Sequence, residues 1–367
     1  MHLKIGLFFE KVRLLNAEMK TQNTFFTRNL MLWAQDYERN MPWKGEKDPY
    51  KIWLSEIIMQ QTRVAQGTGY YLRFIAAFPT VQDLANASSD TVMKMWEGLG
   101  YYSRARNLHF TAKYIAAELD GVFPTEYNNL LKLKGVGAYT AAAIASFAYD
   151  LPHAVVDGNV IRVLSRFFGI KTPFDTTVGK KEFQAKADLQ IDVKNSALYN
   201  QAIMDFGASI CAPKKAKCEE CPLQDKCVAF QKNEVEILPV KAKKIKMKSR
   251  FFLYFIIEKE GEIYVEKRKE KDIWQDLYQF PLLELPKKTA KAKFKALDLS
   301  QLIGSADYEI TNISQEYVQQ LSHQKITAYF VKINTNAPLN SQYTLVEKEK
   351  LSNFAFPRII TLFLYDK

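Results

Sequence analysis

The segment at residues 133–137, LKGVG, constrains the fold most, because its two glycines stand between two stretches with a helical pattern. Residues 140–148, after the turn, are almost all small or apolar, which predicts a buried helix. Gly135 and Gly137 permit a tight turn whose backbone N–H groups can face an anion, and the positive end of the following helix lies at the same place. The sequence therefore predicts two helices joined by a hairpin that binds a phosphate group, for which DNA is the natural source.

Asp157, in the string VVDGN at 155–159, precedes a third predicted helix. Taken alone, it is equally well explained as an ordinary N-cap, since a carboxylate accepts hydrogen bonds from the free N–H groups of a first turn. Together, the LxGVG hairpin and the downstream VDGNVxRV string resemble the helix-hairpin-helix superfamily of DNA base-excision glycosylases. The resemblance implies that Gly135, Val136 and Gly137 grip the DNA backbone. It also implies that Asp157 faces the sugar of the excised base and that Asn159 is a further catalytic residue.

Length and charge limit the number of domains and the kinds of partner that this chain can have. A chain of 367 residues with 47% hydrophobic residues is long enough for two domains with separate cores. A formal charge of +11 favours a polyanionic partner. No apolar run approaches the roughly 18 residues of a membrane span, and Glu10 and Lys11 interrupt the apolar start, so no signal peptide is predicted. Whether Met1 or Met19 is the true start stays open, and we expect no membrane association and a cytoplasmic protein, nucleoid-associated in a bacterium or nuclear in a eukaryote.

Glu56 lies in the string YKIWLSEIIMQQTRV at residues 50–64, which has a helical pattern. A Glu in such a helix most often faces solvent. Here Ile52, Trp53 and Ile57 surround it at helical spacing, which predicts a dry site. Because burial disfavours the charged form, the pKa of the Glu56 carboxyl should be raised, as a general acid requires.

The string WLSEIIMQQT resembles the adenine DNA glycosylases of the MutY type, which act on adenine mispaired with 8-oxoguanine. The resemblance implies that Glu56 is the catalytic acid and that Gln61 contacts the bases around the lesion. It places Trp43 and Gln201 in the adenine pocket. Lys44 departs from the family, which often has Arg at this position.

Two carboxyl groups then divide the chemistry. By the resemblance, Glu56 protonates N7 of a flipped adenine, and ionised Asp157 stabilises the positive charge left on the sugar when the C1′–N9 bond breaks. The two sequence settings favour these different protonation states, because Glu56 lies in an apolar helix and Asp157 at a helix N-terminus.

The string GLGYYSRARN at residues 98–107 also resembles this family. A turn followed by an aromatic residue can present a flat side chain that wedges into a base stack, and Tyr101 is the candidate. Arg104 and Arg106 fit phosphate contacts or interior ion pairs equally well.

Tyr139 bears on the reaction type. In the related glycosylases that also cut the strand, a Lys at this position forms a Schiff base, which Tyr139 cannot do. We therefore expect base removal without an efficient lyase step. The alternatives are an endonuclease III-like pyrimidine glycosylase/lyase, which Tyr139 disfavours, and an inactive iron–sulfur DNA-binding protein, which Glu56 and Asp157 disfavour.

The four cysteines of the chain lie together in one short segment. They are Cys211, Cys218, Cys221 and Cys227. Such clustering favours a metal site over disulfides. Zinc is the rival, although zinc sites usually use two close pairs and only Cys218 and Cys221 form one. The spacing resembles the iron–sulfur loop of these glycosylases, which implies a 4Fe–4S cluster. Three lysines within the first loop are expected to face DNA phosphates: Lys214, Lys215 and Lys217.

The last third of the chain has a different pattern. Strand-like stretches at 250–259, 262–269 and 326–334, with a helical end within 345–364, predict an α+β domain. The string WQDLYQFP at 274–281 resembles the C-terminal domain of the same glycosylases, which is related to nucleotide-pyrophosphate hydrolases. No Glu occurs between Glu284 and Glu309, so the metal-binding helix of those hydrolases is missing. The predicted role is reading of damage rather than hydrolysis.

Ser322 and His323 match the lesion-contacting loop of that domain, and the resemblance implies that they contact 8-oxoguanine. Leu321 replaces the Phe of the family loop, and Gln319 replaces a His that usually precedes it.

The predicted fold class is therefore multi-domain: an all-α helix-hairpin-helix glycosylase domain with an iron–sulfur loop, followed by an α+β Nudix-like domain. We assign an N-terminal extension at 1–20, the helical domain at 21–232 with its loop at 211–227, a basic linker at 233–248 and the Nudix-like domain at 249–367. The expected partner is double-stranded DNA with A:8-oxoguanine or A:G mispairs, bound by a monomer.

Overall fold

Short helices in the first part of the chain and a mixed sheet in the last part make up the protein, seen here in a computed structural model. The structure describes residues 25–242, 247–305, 307–339 and 341–365. The predicted N-terminal extension at 1–20 and part of the predicted linker lie outside the described residues. Within the described ranges, no helix combines the length and apolar character that a membrane crossing needs.

The helices follow one another with short connections. They are α1 (25–35), α2 (Pro49–Met59), α3 (Val64–Ala77), α4 (Val81–Asn86), α5 (Ser89–Met95), α6 (Ser103–Glu118), α7 (Tyr127–Leu130), α8 (Ala138–Tyr149), α9 (Gly158–Phe168), α10 (Thr177–Gln190), α11 (Ser196–Ser209) and α12 (Val228–Gln231). Helix α1 ends at residue 35, and a loop leads to α2. Asp48 fixes the start of α2, because its side chain accepts a hydrogen bond from the Tyr50 N–H at 2.9 Å.

The predicted hairpin is confirmed between α7 and α8. Gly135 has a φ of +84°, in the region that glycine enters without a steric cost. Residues Ala141–Ala145 of α8 are all buried, as their small side chains predict, so α2 and α11 can pack closely against this helix. The hairpin thus joins a short surface helix to a largely buried one.

The chain divides into two compact units. The first comprises the described part of Met1–Ala76 together with Tyr114–Lys243, and the second comprises Ala77–Lys113 together with the described part of Lys244–Lys367. Residues 77–113, assigned to the helical domain from the sequence, therefore group with the C-terminal sheet. The assigned bounds of 21–232, 233–248 and 249–367 remain a prediction about domains.

A mixed sheet forms the centre of the second unit. Its strands are β1 (Lys248–Lys259), β2 (Glu262–Lys267), β3 (Tyr278–Gln279), β4 (Leu282–Leu285), β5 (Glu309–Ile313), β6 (Tyr317–Gln320), β7 (Gln324–Asn334) and β8 (Thr344–Glu347). The order β3-β2-β1-β7-β5 has β1 and β7 parallel in the middle, while β4, β6 and β8 pair antiparallel with β1, β7 and β2. The predicted strands are confirmed, and Gly261 lies in the hairpin that joins β1 and β2.

The central strand β1 shows why this sheet is stable. Its residues 252–257 are buried without interruption, which is typical of a strand covered on both faces. Helix α13 (Ser300–Ile303) precedes β5, and helix α14 (Arg358–Tyr365) packs near β6. Phe363 from α14 stacks on Phe330 of β7 with ring centroids 3.8 Å apart. The sheet therefore holds the β6–β7 turn, with Ser322 and His323, on a rigid frame.

Candidate active site

A cavity of about 580 Å³ opens in the first unit among α2, α8, α9, α11 and the loop before α2. This volume is within the range of small-molecule sites. Six residues predicted from the sequence line it together: Trp43, Glu56, Tyr139, Asp157, Asn159 and Gln201. They come from five separate parts of the chain, so the fold gathers what the sequence spreads over many residues.

Glu56 points into this cavity from the buried side of α2. It is 8% exposed, and its neighbours Ile52, Trp53 and Ile57 are buried apolar residues. Burial is the largest influence and raises the pKa of the Glu56 carboxyl to about 7. A hydrogen bond from Tyr139 lowers this pKa, and the charge of Asp157 raises it. At neutral pH, Glu56 is therefore present in both its protonated and its ionised form.

Asp157 is both the N-cap of α9 and a wall of the cavity. Its Oδ1 accepts a hydrogen bond from the Val160 N–H at 2.8 Å, and its Oδ2 accepts one from Asn159 Nδ2 at 2.7 Å. Burial raises the pKa of the Asp157 carboxyl, whereas these N–H groups and the Arg162 guanidinium lower it. Asp157 can thus cap α9 and line the cavity at the same time. Its carboxyl is more strongly desolvated than its place at a helix terminus predicts.

Tyr139, in the first turn of α8, donates a hydrogen bond from its hydroxyl to the Glu56 carboxyl. The phenol is buried beside two carboxyl groups, and burial followed by their negative charge raises its pKa well above the ordinary value. Tyr139 therefore keeps its proton and acts as a hydrogen-bond donor.

Asp205 is a buried carboxylate in the lining of the same cavity, and the sequence did not single it out. Asp205, 3% exposed, pairs with Arg39 at 3.5 Å and with Lys44 at 3.4 Å, and its Oδ2 accepts a hydrogen bond from Gln201 Nε2 at 3.0 Å. Gln201 and Asp205 are four residues apart on one face of α11, which is the one local signal for this contact. The cluster fixes the polar end of Gln201 and the Lys44 ammonium.

Arg162 is a second residue that the sequence analysis passed over. Its Nη2 donates to Asn159 Oδ1 at 2.9 Å and to the Gly207 carbonyl at 2.6 Å. Gly207 leaves no room for a side chain, because a Cβ there would lie 2.7 Å from the Asn159 Cβ. The close approach of α9 and α11 therefore orients Asn159 towards Asp157.

The hairpin turn presents backbone to the surface. Val136 is buried and anchors the turn, while a Cβ on Gly137 would meet nothing within 4 Å. Gly137 is the N-cap of α8, and no side chain caps this helix. The first N–H groups of α8 are consequently without a side-chain acceptor from their own cap.

Three of the predicted DNA contacts share an uncommon backbone conformation. Gln61, Tyr101 and Lys215 have φ values of 55°, 47° and 53°, in the left-handed region that non-glycine residues rarely adopt. Such conformations concentrate at functional sites. The loop lysines Lys214, Lys215 and Lys217 are exposed, as contacts with phosphate require.

The four cysteines carry free thiols in a partly buried loop. Burial raises the pKa of the Cys221 thiol to about 12 and also raises those of Cys218 and Cys227, and the neighbouring thiols add to each shift. Arg166 donates to Cys211 Sγ at 3.5 Å and to the Ala212 carbonyl at 2.8 Å. Among the residues that the structure describes, no three His, Cys, Asp or Glu side chains are grouped as ligands of one metal ion.

A second cavity, of about 700 Å³, lies within the second unit. Tyr101, Ser322 and His323 all line it, and the Tyr101 and Ser322 hydroxyls are hydrogen-bonded to each other. Tyr101 is 41% exposed. Gln319, which departs from the family loop, accepts a hydrogen bond from the Ile359 N–H at 3.1 Å and so ties β6 to the start of α14.

Two family models match separate parts of the chain, and the first match includes residues 77–113. Residues 54–186 match the family described as HhH-GPD superfamily base excision DNA repair protein, and residues 253–365 match the NUDIX domain family. The chain is similar to the adenine DNA glycosylase of Buchnera aphidicola subsp. Schizaphis graminum, with 37% identity over 265 residues, 72% of this chain and 76% of the relative. The Homo sapiens adenine DNA glycosylase is 38% identical over 224 residues, 59% of this chain and 41% of its own length.

Solved structures resemble the helical part. A thermostable thymine-DNA glycosylase has 28% identity and a TM-score of 0.54, covering 58% of this chain and 98% of its own. An endonuclease III in a non-covalent DNA complex has 21% identity and a TM-score of 0.51, covering 58% of this chain and 97% of its own, which is a likeness of fold.

Proposed function

The chain belongs to the adenine DNA glycosylases, a family of base-excision repair enzymes that hydrolyse N-glycosidic bonds, and from that premise we propose that it excises adenine mispaired with 8-oxoguanine or guanine from double-stranded DNA. The observation that carries the proposal is the convergence of Glu56, Tyr139 and Asp157 in one cavity of about 580 Å³. Trp43 and Gln201 line the same cavity and are the proposed contacts with the flipped adenine.

Glu56 acts as the general acid. Adenine leaves poorly as an anion, so its N7 must be protonated while the C1′–N9 bond breaks. A carboxyl with a pKa of about 7 holds a proton in a useful fraction of molecules at neutral pH. Tyr139 then donates to the carboxylate that remains, which stabilises Glu56 after it has given up its proton.

Asp157 stabilises the positive charge that develops on the sugar. Burial raises the pKa of both carboxyl groups, but their hydrogen-bond donors differ. Asp157 accepts hydrogen bonds from Val160 and Asn159, and these N–H donors favour its ionised form. Of the two groups, Glu56 is therefore the proposed proton carrier and Asp157 the proposed carboxylate, which are the different states that the reaction needs.

The DNA backbone lies across the hairpin and the cysteine loop in this proposal. The N–H groups of the Gly135-Val136-Gly137 turn, at the positive end of α8, bind a phosphate. The exposed lysines at 214, 215 and 217 contact further phosphates, while Gln61 and Tyr101 contact bases near the mispair.

A 4Fe–4S cluster is the proposed resident group of the cysteine loop. Four cysteine thiols in one partly buried loop suit iron, and burial disfavours their thiolates unless a cationic group neutralises them. Cys211, Cys218, Cys221 and Cys227 would hold the cluster. When bound, it supplies a rigid cross-link for the loop and takes no part in bond cleavage.

The second cavity is the proposed site for the base opposite the adenine. A hydroxyl and an imidazole, from Ser322 and His323, can hydrogen-bond the altered N7–H and 8-oxo groups of 8-oxoguanine. Tyr101, on the same cavity, is placed to stack on a neighbouring base. The enzyme works as a monomer on chromosomal DNA, in the nucleoid of a bacterium or the nucleus of a eukaryote.

One assay tests the proposed function against its alternatives. A duplex with a single adenine opposite 8-oxoguanine is incubated with the protein and then treated with alkali, which cleaves the strand wherever a base has been lost. We expect cleavage at the adenine only after alkali. A second duplex carries an oxidised pyrimidine, and its cleavage without alkali would instead show a glycosylase/lyase. No cleavage of either duplex would show an inactive binding protein.

A further inference from the structure

Arg250, at the start of β1, has a fixed orientation. Its Nε donates to Glu284 Oε1 at 2.8 Å and its Nη2 donates to Glu284 Oε2 at 2.7 Å, which is the two-bond geometry of a guanidinium on a carboxylate. The guanidinium also lies 4.8 Å from the centre of the Phe252 ring. With its side chain 11% exposed, Arg250 has little freedom to reorient.

The remaining nitrogen of Arg250 links two walls of the second cavity. Nη1 donates to both oxygens of Asp272 at 3.0 Å and to Gln324 Oε1 at 3.4 Å. Asp272 lines the cavity, and Gln324 directly follows His323. One side chain therefore connects the wall at Asp272 with the turn that carries Ser322 and His323.

The segment at residues 272–276, whose first three residues line the cavity, is held at both ends. Asp272 accepts a further bond from Arg268 at 2.6 Å, and the Gln275 carbonyl accepts one from Arg106 at 2.7 Å. Arg106 also pairs with Asp276 at 3.7 Å. Because this wall is anchored independently, it is a stable reference against which Arg250 can hold the turn.

Beyond the pairing of β6 and β7 with their neighbouring strands, two backbone hydrogen bonds lie at the turn. The Leu321 N–H donates to the Gln324 carbonyl at 2.8 Å, and the Lys248 N–H donates to the His323 carbonyl at 3.0 Å. The Ser322 hydroxyl is also hydrogen-bonded to the Tyr101 hydroxyl. The contact from Arg250 to the Gln324 side chain adds a tie between the base of the turn and the wall at Asp272.

We propose that Arg250 is a positioning residue for recognition of the base opposite the excised adenine, acting through Gln324 on the turn with Ser322 and His323. The inference rests on the proposed function of that turn. Two hydroxyl or imidazole hydrogen bonds distinguish 8-oxoguanine from guanine only if their donors are held to within about 0.5 Å. Arg250 itself touches no base; it holds Gln324 relative to Asp272.

The test compares two variants with a matched control. Gln324→Leu removes the acceptor and keeps the size of the side chain, and Arg250→Lys keeps the charge but loses the two-bond geometry. Glu258→Gln is the control. Glu258 lies on β1, as Arg250 does, but it pairs with Lys332 and Lys348 and lines neither cavity. Single-turnover rates of adenine excision opposite 8-oxoguanine and opposite guanine give the discrimination ratio, and thermal unfolding checks that each variant folds.

We expect Gln324→Leu and Arg250→Lys each to lower the ratio by roughly fivefold, which is about 1 kcal/mol, while Glu258→Gln leaves it at the wild-type value. Added to Ser322→Ala with His323→Ala, Gln324→Leu should lower the ratio no further, since it acts through that turn. An equal fall in the Glu258 variant, or a fully additive effect of Gln324→Leu, would overturn the inference.

The same series separates this inference from the proposed function. If the Ser322 and His323 substitutions lower the ratio but the Gln324 and Arg250 substitutions do not, the turn reads the base and the positioning role is wrong. If the Ser322 and His323 substitutions leave the ratio unchanged, the proposed function of the turn fails and the positioning role fails with it.

Discussion

At the scale of single residues, the acid Glu56 and the charge-stabilising Asp157 are buried in the same cavity, and their hydrogen-bond donors tell them apart. Asp157 accepts two N–H groups, whereas Glu56 accepts one phenolic O–H from Tyr139. The Tyr139 phenol thus lowers the pKa of Glu56 and keeps its own proton. Tyr139 is central to two of the predictions that follow.

Replacing Tyr139 by Phe removes the donor that lowers the pKa of Glu56, so that pKa should rise above about 7. Because the general acid must be protonated, excision falls as the pH rises through this pKa. The alkaline limb of the single-turnover pH–rate profile should therefore move to higher pH in Tyr139→Phe. An unmoved limb would show that the phenol does not tune Glu56.

Tyr139 also predicts a monofunctional enzyme. Borohydride trapping of the wild type on adenine opposite 8-oxoguanine should give little covalent complex, because a phenol forms no Schiff base. Tyr139→Lys should give more, since it supplies an amine at the sugar. Efficient trapping by the wild type would contradict this account of the reaction.

Glu56 also carries a cost in stability. Its pKa is raised from 4.5 in the unfolded chain to about 7 in the folded one, so its protonated form stabilises the fold relative to its ionised form. This contribution is complete below pH 4.5 and is lost as the pH rises through about 7. Glu56→Gln should therefore raise the melting temperature relative to the wild type at pH 8 and change it little at pH 4.5, as measured by thermal unfolding. A larger gain at the lower pH would contradict the assigned pKa.

At the scale of elements, the hairpin glycines have separable roles. Gly135 has a φ of +84°, so Gly135→Ala should destabilise the protein by about 1 kcal/mol. Gly137 has an extended backbone with open space beside it, so Gly137→Ala should leave the melting temperature unchanged while its methyl group obstructs a phosphate at the N-terminus of α8. Unfolding and duplex-binding measurements on the matched pair decide this. Equal loss of stability in both variants would contradict the division of roles.

The cysteine loop gives a prediction about iron. Protein purified without air should be brown and contain about four irons per chain. Cys218→Ser should lose iron and weaken DNA binding more than it slows excision at saturating protein, because the loop holds DNA and touches no reacting atom. A colourless protein with one zinc would contradict the cluster.

The elements also show what sequence can and cannot predict. The burial of Glu56 and the helix start at Asp157 are predictable from short strings, whereas their catalytic roles came from the family resemblance. Asp205 with Arg39, and Arg250 with Gln324, join residues far apart in sequence, and no local periodicity records such a contact. Gln319 differs from the family, and only the structure shows that it binds the backbone of α14 instead.

At the scale of the whole molecule, the proposal assigns removal of adenine to one cavity and recognition of the opposite base to the other. Adenine opposite thymine is normal DNA, and the adenine looks alike in every pair, so the opposite base must be read elsewhere. The cavity with Ser322 and His323 lies in the second unit, apart from Glu56 and Asp157 in the first. Residues 77–113 group with the C-terminal sheet through long-range contacts such as that of Arg106 with Gln275. Such contacts cannot be predicted from the order of the residues in the sequence.

This division predicts a selective loss of discrimination. Ser322→Ala with His323→Ala should lower the preference for adenine opposite 8-oxoguanine over adenine opposite guanine by roughly tenfold or more, since about 1.4 kcal/mol corresponds to tenfold. Single-turnover excision from the two duplexes measures it. Equal losses on both would indicate misfolding or general loss of DNA binding, and the recognition role would be withdrawn.

The most direct measurement for the central claim is single-turnover excision of adenine opposite 8-oxoguanine by the wild type, Glu56→Gln and Asp157→Asn. We expect each variant to bind the duplex as the wild type does and to excise adenine at least about 100-fold more slowly, the usual scale for a general acid or a charge-stabilising group. Excision by Glu56→Gln at close to the wild-type rate would contradict the assignment of Glu56 as the acid.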